Sequence, residues 1–460
     1  MAVPDPTTYY PDDTIAAIAT PVGSGGIGIV RISGKKALPI LKRIFCPGDQ
    51  VFAPRALTYG HIVDPRAGET VDQALVVYMP KPKTYTRQDV VEIDCHGGPM
   101  PLRRVLGLCL QHGARLAGPG EFTLRAFLNG RIDLAQAEAV ADMVEAKTQA
   151  GLRIAVEQLD GRLSGQVQQI RTRLLAAQSW LVASIDFASD EIPPYDISAD
   201  LTSAQRMLTH LLDSAERGIV YRQGLRTAIV GKPNVGKSSL LNALLRAERA
   251  IVAPIPGTTR DTLEETLNLD GLPLILVDTA GIRAETRDLV EGLGIERSRH
   301  ALAQADLALF VIDANAPLTG GDHEIAALID RKPAIVVINK TDLPVRVDAA
   351  CLLPHAPHVE ISALTGEGIA ELEQAIQTAV FTEQTISAGA TWVSHPRHRD
   401  ALRRADKHVR HALDAHHNAL PADFISIDVT AAINVLAEIT GETASESLLE
   451  TIFGRFCIGK

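Results

Sequence analysis

Residues 225–238 read Leu-Arg-Thr-Ala-Ile-Val-Gly-Lys-Pro-Asn-Val-Gly-Lys-Ser, and this stretch decides the fold of the chain around it. It begins as the apolar run of a short strand, and a helical pattern starts at Ser238. A glycine-rich loop between a strand and a helix turns backbone N–H groups toward phosphate oxygens. Alone it could be a turn that ends a strand. Its context predicts a phosphate-binding loop, with Lys237 at the β- and γ-phosphates and Ser238 on Mg²⁺.

Two further motifs supply groups for the same phosphates. Asp278-Thr-Ala-Gly281 follows an apolar run, which places Asp278 to hold Mg²⁺ through water and the N–H of Gly281 to meet the γ-phosphate. Gly257-Thr-Thr-Arg-Asp261 comes before it and offers Thr259 as a second Mg²⁺ ligand. The order and spacing of these motifs strengthen the prediction of a nucleotide site.

The next two motifs predict which base is bound. Asn339-Lys-Thr-Asp342 ends the apolar run 334–338, and Ser362-Ala-Leu364 follows it. A carboxylate at Asp342 can accept hydrogen bonds from N1–H and the 2-amino group of guanine, and adenine lacks both donors. The motifs therefore predict a domain that binds and hydrolyses GTP.

The sequence leaves the catalytic groups open. Ras-like enzymes place a glutamine after the Asp-x-x-Gly motif to orient water, but this chain has Ile282. Arg260 and Arg283 are candidates for the cation that stabilises the transition state. Asn234 suggests another solution, in which its side chain and the carbonyls of the following segment hold a monovalent cation such as K⁺. The alternative is that Asn234 only packs the loop.

Composition and charge set limits on the whole chain. Its 460 residues predict about three domains. The net charge of −10 gives no overall basic surface for nucleic acid, so contact with RNA would be local or shared with a partner. The five cysteines lack Cys-x-x-Cys spacing, which argues against disulfide or zinc frameworks. No signal sequence or apolar run of about 20 residues is recognisable, and we expect a cytoplasmic protein without membrane contact.

Apolar periodicity divides the chain into segments. Residues 1–127 have strand-like runs between Gly/Pro turns and predict an α+β domain, while 128–223 have helical spacing, with one helix expected to end near Gly218. Residues 224–383 predict a Ras-like, doubly wound α/β sheet, and the helical pattern returns over 384–460. The fold class is therefore multidomain α+β and α/β, with the nucleotide-binding domain inserted into a helical domain.

Outside the nucleotide motifs, several stretches together resemble the tRNA modification GTPase family called MnmE or TrmE. The resemblance covers essentially the whole chain. The stretches are Asp13-Thr-Ile-Ala16, Gly25-Gly-Ile-Gly28, Gly120-Glu-Phe-Thr-Leu-Arg-Ala-Phe-Leu-Asn129, Asp133-Leu-Ala-Gln-Ala-Glu-Ala139 and Cys457-Ile-Gly-Lys460.

The resemblance implies an activity and partners. It implies an N-terminal domain that binds 5-formyltetrahydrofolate or a related one-carbon folate and pairs two subunits into a homodimer. It also implies a flavin-dependent partner, MnmG (GidA), in a heterotetramer or larger complex. Together they would add a carboxymethylaminomethyl group to C5 of the wobble uridine of certain tRNAs.

The resemblance also implies roles for individual residues. Arg31, Glu92, Arg131 and Lys460 would contact the folate, although the family commonly has lysine at position 131. Cys457 would take part in the modification and Glu291 would position the catalytic water. Asn234, the carbonyls of Ala253 and Ile255, and Thr258 would surround K⁺, and Ser238 and Thr259 would bind Mg²⁺.

The complete set predicted to bind GTP comes from five stretches. These are Asn234, Val235, Gly236, Lys237, Ser238 and Ser239; Ala253, Pro254, Ile255, Pro256, Gly257, Thr258 and Thr259; Asp278, Thr279, Ala280 and Gly281; Asn339, Lys340, Thr341 and Asp342; and Ser362, Ala363 and Leu364.

The alternative is a ribosome-assembly or signalling GTPase, a switch whose flanking domains only dock a partner. A switch needs neither a folate pocket nor a terminal cysteine. Folate binding therefore separates the two hypotheses.

Overall fold

A computed structural model describes most of the chain. The described residues are 13–21, 23–48, 52–187, 193–247, 265–277, 291–329, 332–380 and 391–460. Their contacts define two compact units, which are Met1–Ala141 with Leu159–Ser164 and Asn434–Lys460, and Asp142–Gln158 with Gly165–Ile433. The domain boundaries at 127, 223 and 383 remain predictions.

The first unit contains a seven-stranded sheet among its described residues, in the order β3-β4-β5-β6-β2-β1-β7. The strands are β1 Ile15–Ile18, β2 Gly25–Ser33, β3 Phe45–Pro47, β4 Thr58–Asp64, β5 Glu69–Met79, β6 Val90–Gly97 and β7 Arg115–Leu116. Side chains alternate across β2, so that Val30 and Ile32 are buried while Arg31 between them lies on the other face. Helices α1 and α2, Ala37–Ile44 and Pro99–Gln111, pack on the buried face.

The end of the chain packs on the first unit. Pro119 forms an isolated antiparallel bridge with Ile458, and the N–H of Phe122 donates to the carbonyl oxygen of Lys460 at 3.2 Å. Phe453 and Phe456 are buried with Leu134 in one apolar cluster. Hydrogen bonds and apolar burial therefore fix the terminal residues.

The second unit contains the predicted doubly wound sheet, and this fold class is confirmed. Its described strands run in the order β13-β12-β11-β8-β10-β9, and only β9 pairs antiparallel. The strands are β8 Leu225–Val230, β9 Glu265–Leu269, β10 Leu272–Val277, β11 Leu307–Asp313, β12 Ala334–Asn339 and β13 His358–Ile361. Parallel strands buried on both faces need continuous apolar runs, and β10 to β12 have them.

Helices make up most of the remaining structure. In chain order they are α3 Glu121–Leu128, α4 Leu134–Glu145, α5 Gln149–Leu159, α6 Arg162–Asp186, α7 Ile197–Gln223, α8 Lys237–Ala247, α9 Glu291–Gln304, α10 Gly320–Ile329, α11 Ile369–Val380, α12 Pro396–His417, α13 Ala422–Thr440 and α14 Glu446–Phe453. Among the helices that the structure describes, none is both long and apolar enough to cross a membrane.

The predicted end of α7 near Gly218 is wrong, because the helix continues to Gln223. Gly218 is needed for a close approach, since a Cβ there would overlap the carbonyl oxygen of Val393. Sequence alone does not distinguish a glycine that ends a helix from one that lets another segment pass close to it.

A buried carboxylate holds both segments that flank the nucleotide-binding part of the second unit. Asp142 Oδ1 accepts from Nε of Arg222, at the end of α7, at 2.6 Å, and Asp142 Oδ2 lies 2.8 Å from Nε2 of His395, which precedes α12. Burial alone would raise the pKa of Asp142. The hydrogen bond with His395 and the charges of His395 and Arg222 outweigh it, so the pKa lies below its ordinary value.

We expect Asp142→Asn to lower the free energy of unfolding at pH 7 by about 3 kcal/mol, because it breaks a buried ion pair. The pKa of Asp142 is lower in the folded state, so its contribution is present above the unfolded-state pKa and is lost as pH falls through the folded-state pKa. The wild type should therefore lose more stability than the variant as the pH falls below about 5. Urea unfolding followed by tryptophan fluorescence measures this, since Trp180 and Trp392 both lie in this unit.

Asp400→Asn is the matched control, because Asp400 pairs with Arg404 at 2.9 Å on an exposed helix surface. It should change stability by no more than about 0.5 kcal/mol. Equal effects of the two substitutions would contradict a special contribution from Asp142.

Candidate functional site

The loop between β8 and α8 has the conformation that its sequence requires. Asn234 and Gly236 both have positive φ, 66° and 100°. At Gly236 a Cβ would also overlap Nδ2 of Asn339, so the glycine allows the asparagine to approach the loop. The loop leads directly into the N-terminus of α8, where Lys237, Ser238 and Ser239 begin the helix.

Lys237 is held inside this loop. Its Nζ donates to the carbonyl oxygens of Gly231 and Lys232 at 2.8 and 2.6 Å, and the residue is only 7% exposed. A buried ammonium beside a helix N-terminus gives this position a strong positive potential. The arrangement fits a polyphosphate.

Asn339 joins three of the predicted stretches. Its Nδ2 donates to the carbonyl oxygen of Val235 at 2.8 Å, and its Oδ1 accepts from the N–H of Ala363 at 3.0 Å. The residue is 2% exposed. One buried carboxamide therefore ties the phosphate loop to both segments predicted to meet the base.

The neighbouring residues orient the exposed end of this site. Ser362 is fully buried, and its Oγ donates to Oδ1 of Asp342 at 2.7 Å. The N–H of Thr341 donates to the carbonyl oxygen of Ile361 at 3.2 Å. Asp342 is exposed, and this hydrogen bond restricts the rotation of its carboxylate. A fixed acceptor at this point can read the donor edge of a base.

Lys340 adds another tie to the loop. Its φ is 71°, and its Nζ donates to the carbonyl oxygen of Asn234 at 2.8 Å and to Oδ2 of Asp313 at 2.7 Å. Burial would raise the pKa of Asp313, but hydrogen bonds from Lys340 and the N–H of Asn315 lower it below its ordinary value. Asp313 was not predicted from the sequence, although a carboxylate at the end of a buried strand is a usable signal.

A cleft of about 450 Å³ opens between the start of α8 and the loop after β13. Ser239, Asn242 and Arg246 line it on one side and Ala363 and Leu364 on the other. Of the residues predicted to bind GTP, the cleft is therefore lined by Ser239, Ala363 and Leu364.

Several predicted residues lie outside the described residues, so their placement stays a prediction. These are Ala253, Pro254, Ile255, Pro256, Gly257, Thr258, Thr259, Asp278, Thr279, Ala280 and Gly281. Glu291 begins α9, but its side chain is not among those described. Among the described residues there is no cluster of three His, Cys, Asp or Glu side chains suited to a metal ion.

The structure brings together two of the predicted folate residues with the chain terminus. Arg31 Nε donates to Oε1 of Glu92 at 2.7 Å, and the two residues are register partners on β2 and β6. Arg31 Nη1 donates to the carbonyl oxygen of Gly459 at 3.2 Å, and the guanidinium carbon lies 5.7 Å from the ring centroid of Phe122. The terminal segment containing Lys460 is therefore bound beside this pair.

Arg131 lies over a second aromatic ring. Its guanidinium carbon is 4.9 Å from the ring centroid of Tyr85. Burial raises the pKa of the Tyr85 hydroxyl, and the hydrogen bond with Thr123 and the charges of Arg131 and Arg31 oppose that rise. Tyr85 was missed because a single tyrosine in a turn carries no motif.

Cys457 has an exposed position in the terminal segment. Its carbonyl oxygen accepts from the N–H of Gly120 at 3.4 Å and from the N–H of Lys460 at 3.3 Å. Hydrogen bonds therefore anchor the backbone of Cys457, although the residue is exposed to solvent. The predicted chemical role of the thiol stays a prediction.

A glycine-rich phosphate loop on a doubly wound sheet, tied by Asn339 to a guanine-type recognition loop, defines the class of P-loop GTPases. Two family models match the chain: "GTP-binding protein TrmE N-terminus" over residues 14–131 and "MnmE helical domain" over residues 134–457. The chain belongs to the MnmE family of tRNA modification GTPases.

Relatives from several bacteria match along nearly the whole chain. The tRNA modification GTPase MnmE of Roseiflexus castenholzii is 50% identical over 98% of this chain and 99% of its own length. That of Chloroflexus aurantiacus is 50% identical over 98% and 100%, and that of Alkaliphilus oremlandii is 46% identical over 98% and 100%.

Proposed function

We propose that this protein is an enzyme that hydrolyses GTP and uses hydrolysis to drive modification of tRNA. The observation that carries the proposal is the buried side chain of Asn339, which binds the phosphate loop through Val235 and the base-binding segment through Ala363. Membership of the family supports the tRNA substrate, because its relatives are named tRNA modification GTPases.

The finer proposal concerns the product and the partners. The protein would act as a homodimer with a flavin-dependent MnmG (GidA) partner in a heterotetramer or larger complex. The product would carry a carboxymethylaminomethyl group at C5 of the wobble uridine of certain tRNAs. We also propose a cytoplasmic location. The alternative, a ribosome-assembly or signalling switch, shares the nucleotide site but not the chemistry.

Each nucleotide-binding residue has a separate task in this proposal. Lys237 binds the β- and γ-phosphates from inside the loop, and Asp342 accepts hydrogen bonds from the guanine edge. Ser238 and Thr259 would hold Mg²⁺, which neutralises charge on the phosphates. The buried position of Lys237 and the start of α8 at Lys237 fit this set. Glu291 would position the attacking water.

We further propose that K⁺ supplies the positive charge that an arginine finger supplies elsewhere. Asn234 would hold it together with the carbonyls of Ala253 and Ile255, and Thr258. Asn234 is exposed and has a left-handed backbone, and Lys340 holds its carbonyl oxygen. An amide oxygen and carbonyl oxygens suit a hard monovalent cation.

The rate of GTP hydrolysis in K⁺ and in Na⁺, at equal ionic strength and saturating nucleotide, tests this proposal. A finger-like charge is worth about 10³-fold or more, so we expect K⁺ to exceed Na⁺ by at least about tenfold. Asn234→Ala should abolish the difference. Asn418→Ala, an exposed asparagine in the helical part, is the matched control and should preserve it. Equal rates in both salts would contradict the K⁺ mechanism and favour the switch alternative.

The first unit would bind the one-carbon folate. A pterin offers a row of donors that suits the carboxylate of Glu92, and its glutamate tail suits cations such as Arg131 and Lys460. Phe122 and Tyr85 add aromatic surfaces beside Arg31 and Arg131. This combination of a carboxylate, cations and aromatic rings therefore fits a folate. Cys457 would take part in the modification from the same terminal segment.

Titration of the protein with 5-formyltetrahydrofolate tests this site. Glu92→Gln should weaken binding by at least about tenfold, because it replaces a charged acceptor with a neutral amide that also carries donors. Glu69→Gln, on an exposed part of the same sheet, should bind as the wild type does. Absence of binding by the wild type would contradict the folate proposal and again favour the switch.

A further inference from the structure

Lys232, the second residue of the phosphate loop, is held from outside the loop. Its Nζ lies 2.7 Å from Oδ2 of Asp322 and 2.8 Å from Oγ1 of Thr319. The aliphatic part of the side chain packs on Gly321, so closely that a Cβ added to this glycine would lie 3.3 Å from Cδ of Lys232. A long surface lysine usually pays side-chain entropy to form one contact, but here several contacts fix both its charge and its stem.

Asp322 is built to receive this lysine. Its side chain is 3% exposed, and its Oδ2 also accepts from the N–H and Oγ1 of Thr319 at 2.8 and 3.1 Å. The carboxylate also lies in the first turn of α10, where the helix dipole favours negative charge. A buried carboxylate of this kind is costly unless a cation accompanies it, and Lys232 is that cation.

The contact reaches Lys237 through one residue. The backbone carbonyl oxygen of Lys232 accepts from Nζ of Lys237 at 2.6 Å. Fixing the side chain of Lys232 therefore restricts the carbonyl that orients the ammonium at the phosphate position. Two residues further along the loop, Lys340 binds the carbonyl oxygen of Asn234 and pairs with Asp313. Two acid–lysine pairs thus hold two positions of one loop, Lys232 and Asn234.

We propose that the Asp322–Lys232 ion pair is a brace that positions the phosphate loop, so that Asp322 and Lys232 are positioning residues for nucleotide binding by Lys237. The inference rests on the proposed GTP-binding function and deepens it. Because Lys237 meets the β- and γ-phosphates, loss of the brace should weaken binding most for nucleotides that carry a β-phosphate and least for GMP, which has none.

The test is calorimetric titration of the full chain with GDP and with GMP. Lys232→Met and Asp322→Asn should each weaken GDP binding by about fivefold to tenfold, as coupled residues in one network do. The double variant should be no weaker than either single variant. GMP affinity should stay within about twofold of the wild-type value. Lys232→Arg should retain most of the GDP affinity, since a guanidinium can pair with the same carboxylate.

The double variant separates positioning from stability. Lys232→Met alone leaves a buried carboxylate without its cation, whereas the double variant removes that charge and should regain thermal stability. The brace predicts that GDP affinity stays low even then. Lys332→Met is the matched control, because Lys332 also donates to backbone carbonyls, those of Leu302 and Ala305, but away from the loop. It should leave GDP affinity unchanged.

Three outcomes would overturn the brace while the wild type still binds GDP. They are unchanged GDP affinity in the folded variants, losses that add in the double variant, or an equal loss for GMP. Failure of the wild type to bind GDP would instead overturn the proposed function, and the brace with it.

Discussion

The two hydrogen bonds of the Asn339 side chain are the constraint on which the nucleotide site depends. They join backbone atoms of Val235 and Ala363 across one buried carboxamide. A hydrogen bond of this kind contributes only about 1 kcal/mol net, but leaving a buried partner unsatisfied costs about 1–3 kcal/mol. Any rearrangement of the loop therefore has to replace these bonds. Gly236 is part of the same constraint, because its missing side chain leaves the space that the carboxamide occupies.

The arrangement around Asn339 explains which features the sequence predicts well. Lys237 follows the loop after β8 and Asn339 is the last residue of β12, so local patterns place both at the same edge of a parallel sheet. The residues proposed to bind folate are harder to predict, since Arg31 contacts Gly459 across 428 positions of sequence. Resemblance to the family, rather than periodicity, predicted that Arg31 and Lys460 belong to one site. The predicted helix end at Gly218 was wrong because the glycine permits a close approach of Val393, which is distant in sequence.

Buried charges in the second unit have a shared character. Asp142 and Asp322 are both carboxylates with side chains less than 10% exposed, and each holds a cation that lies far away in the sequence. Such pairs add little net stability over apolar packing, but removing one partner is strongly destabilising. They therefore specify where segments lie. Asp142 does this for the two segments that flank the nucleotide-binding part, and Asp322 does it for the phosphate loop.

The most direct test of the central claim, that Asp342 reads guanine in a site organised by Asn339, is the relative affinity of Asp342→Asn for xanthosine and guanosine diphosphates. Xanthine has an oxygen where guanine has its 2-amino group, so the carboxamide of the variant can donate to it while still accepting from N1–H. In such a site the preference of the variant for guanosine diphosphate should fall by about 100-fold or reverse. A variant that keeps the wild-type preference would contradict the claim.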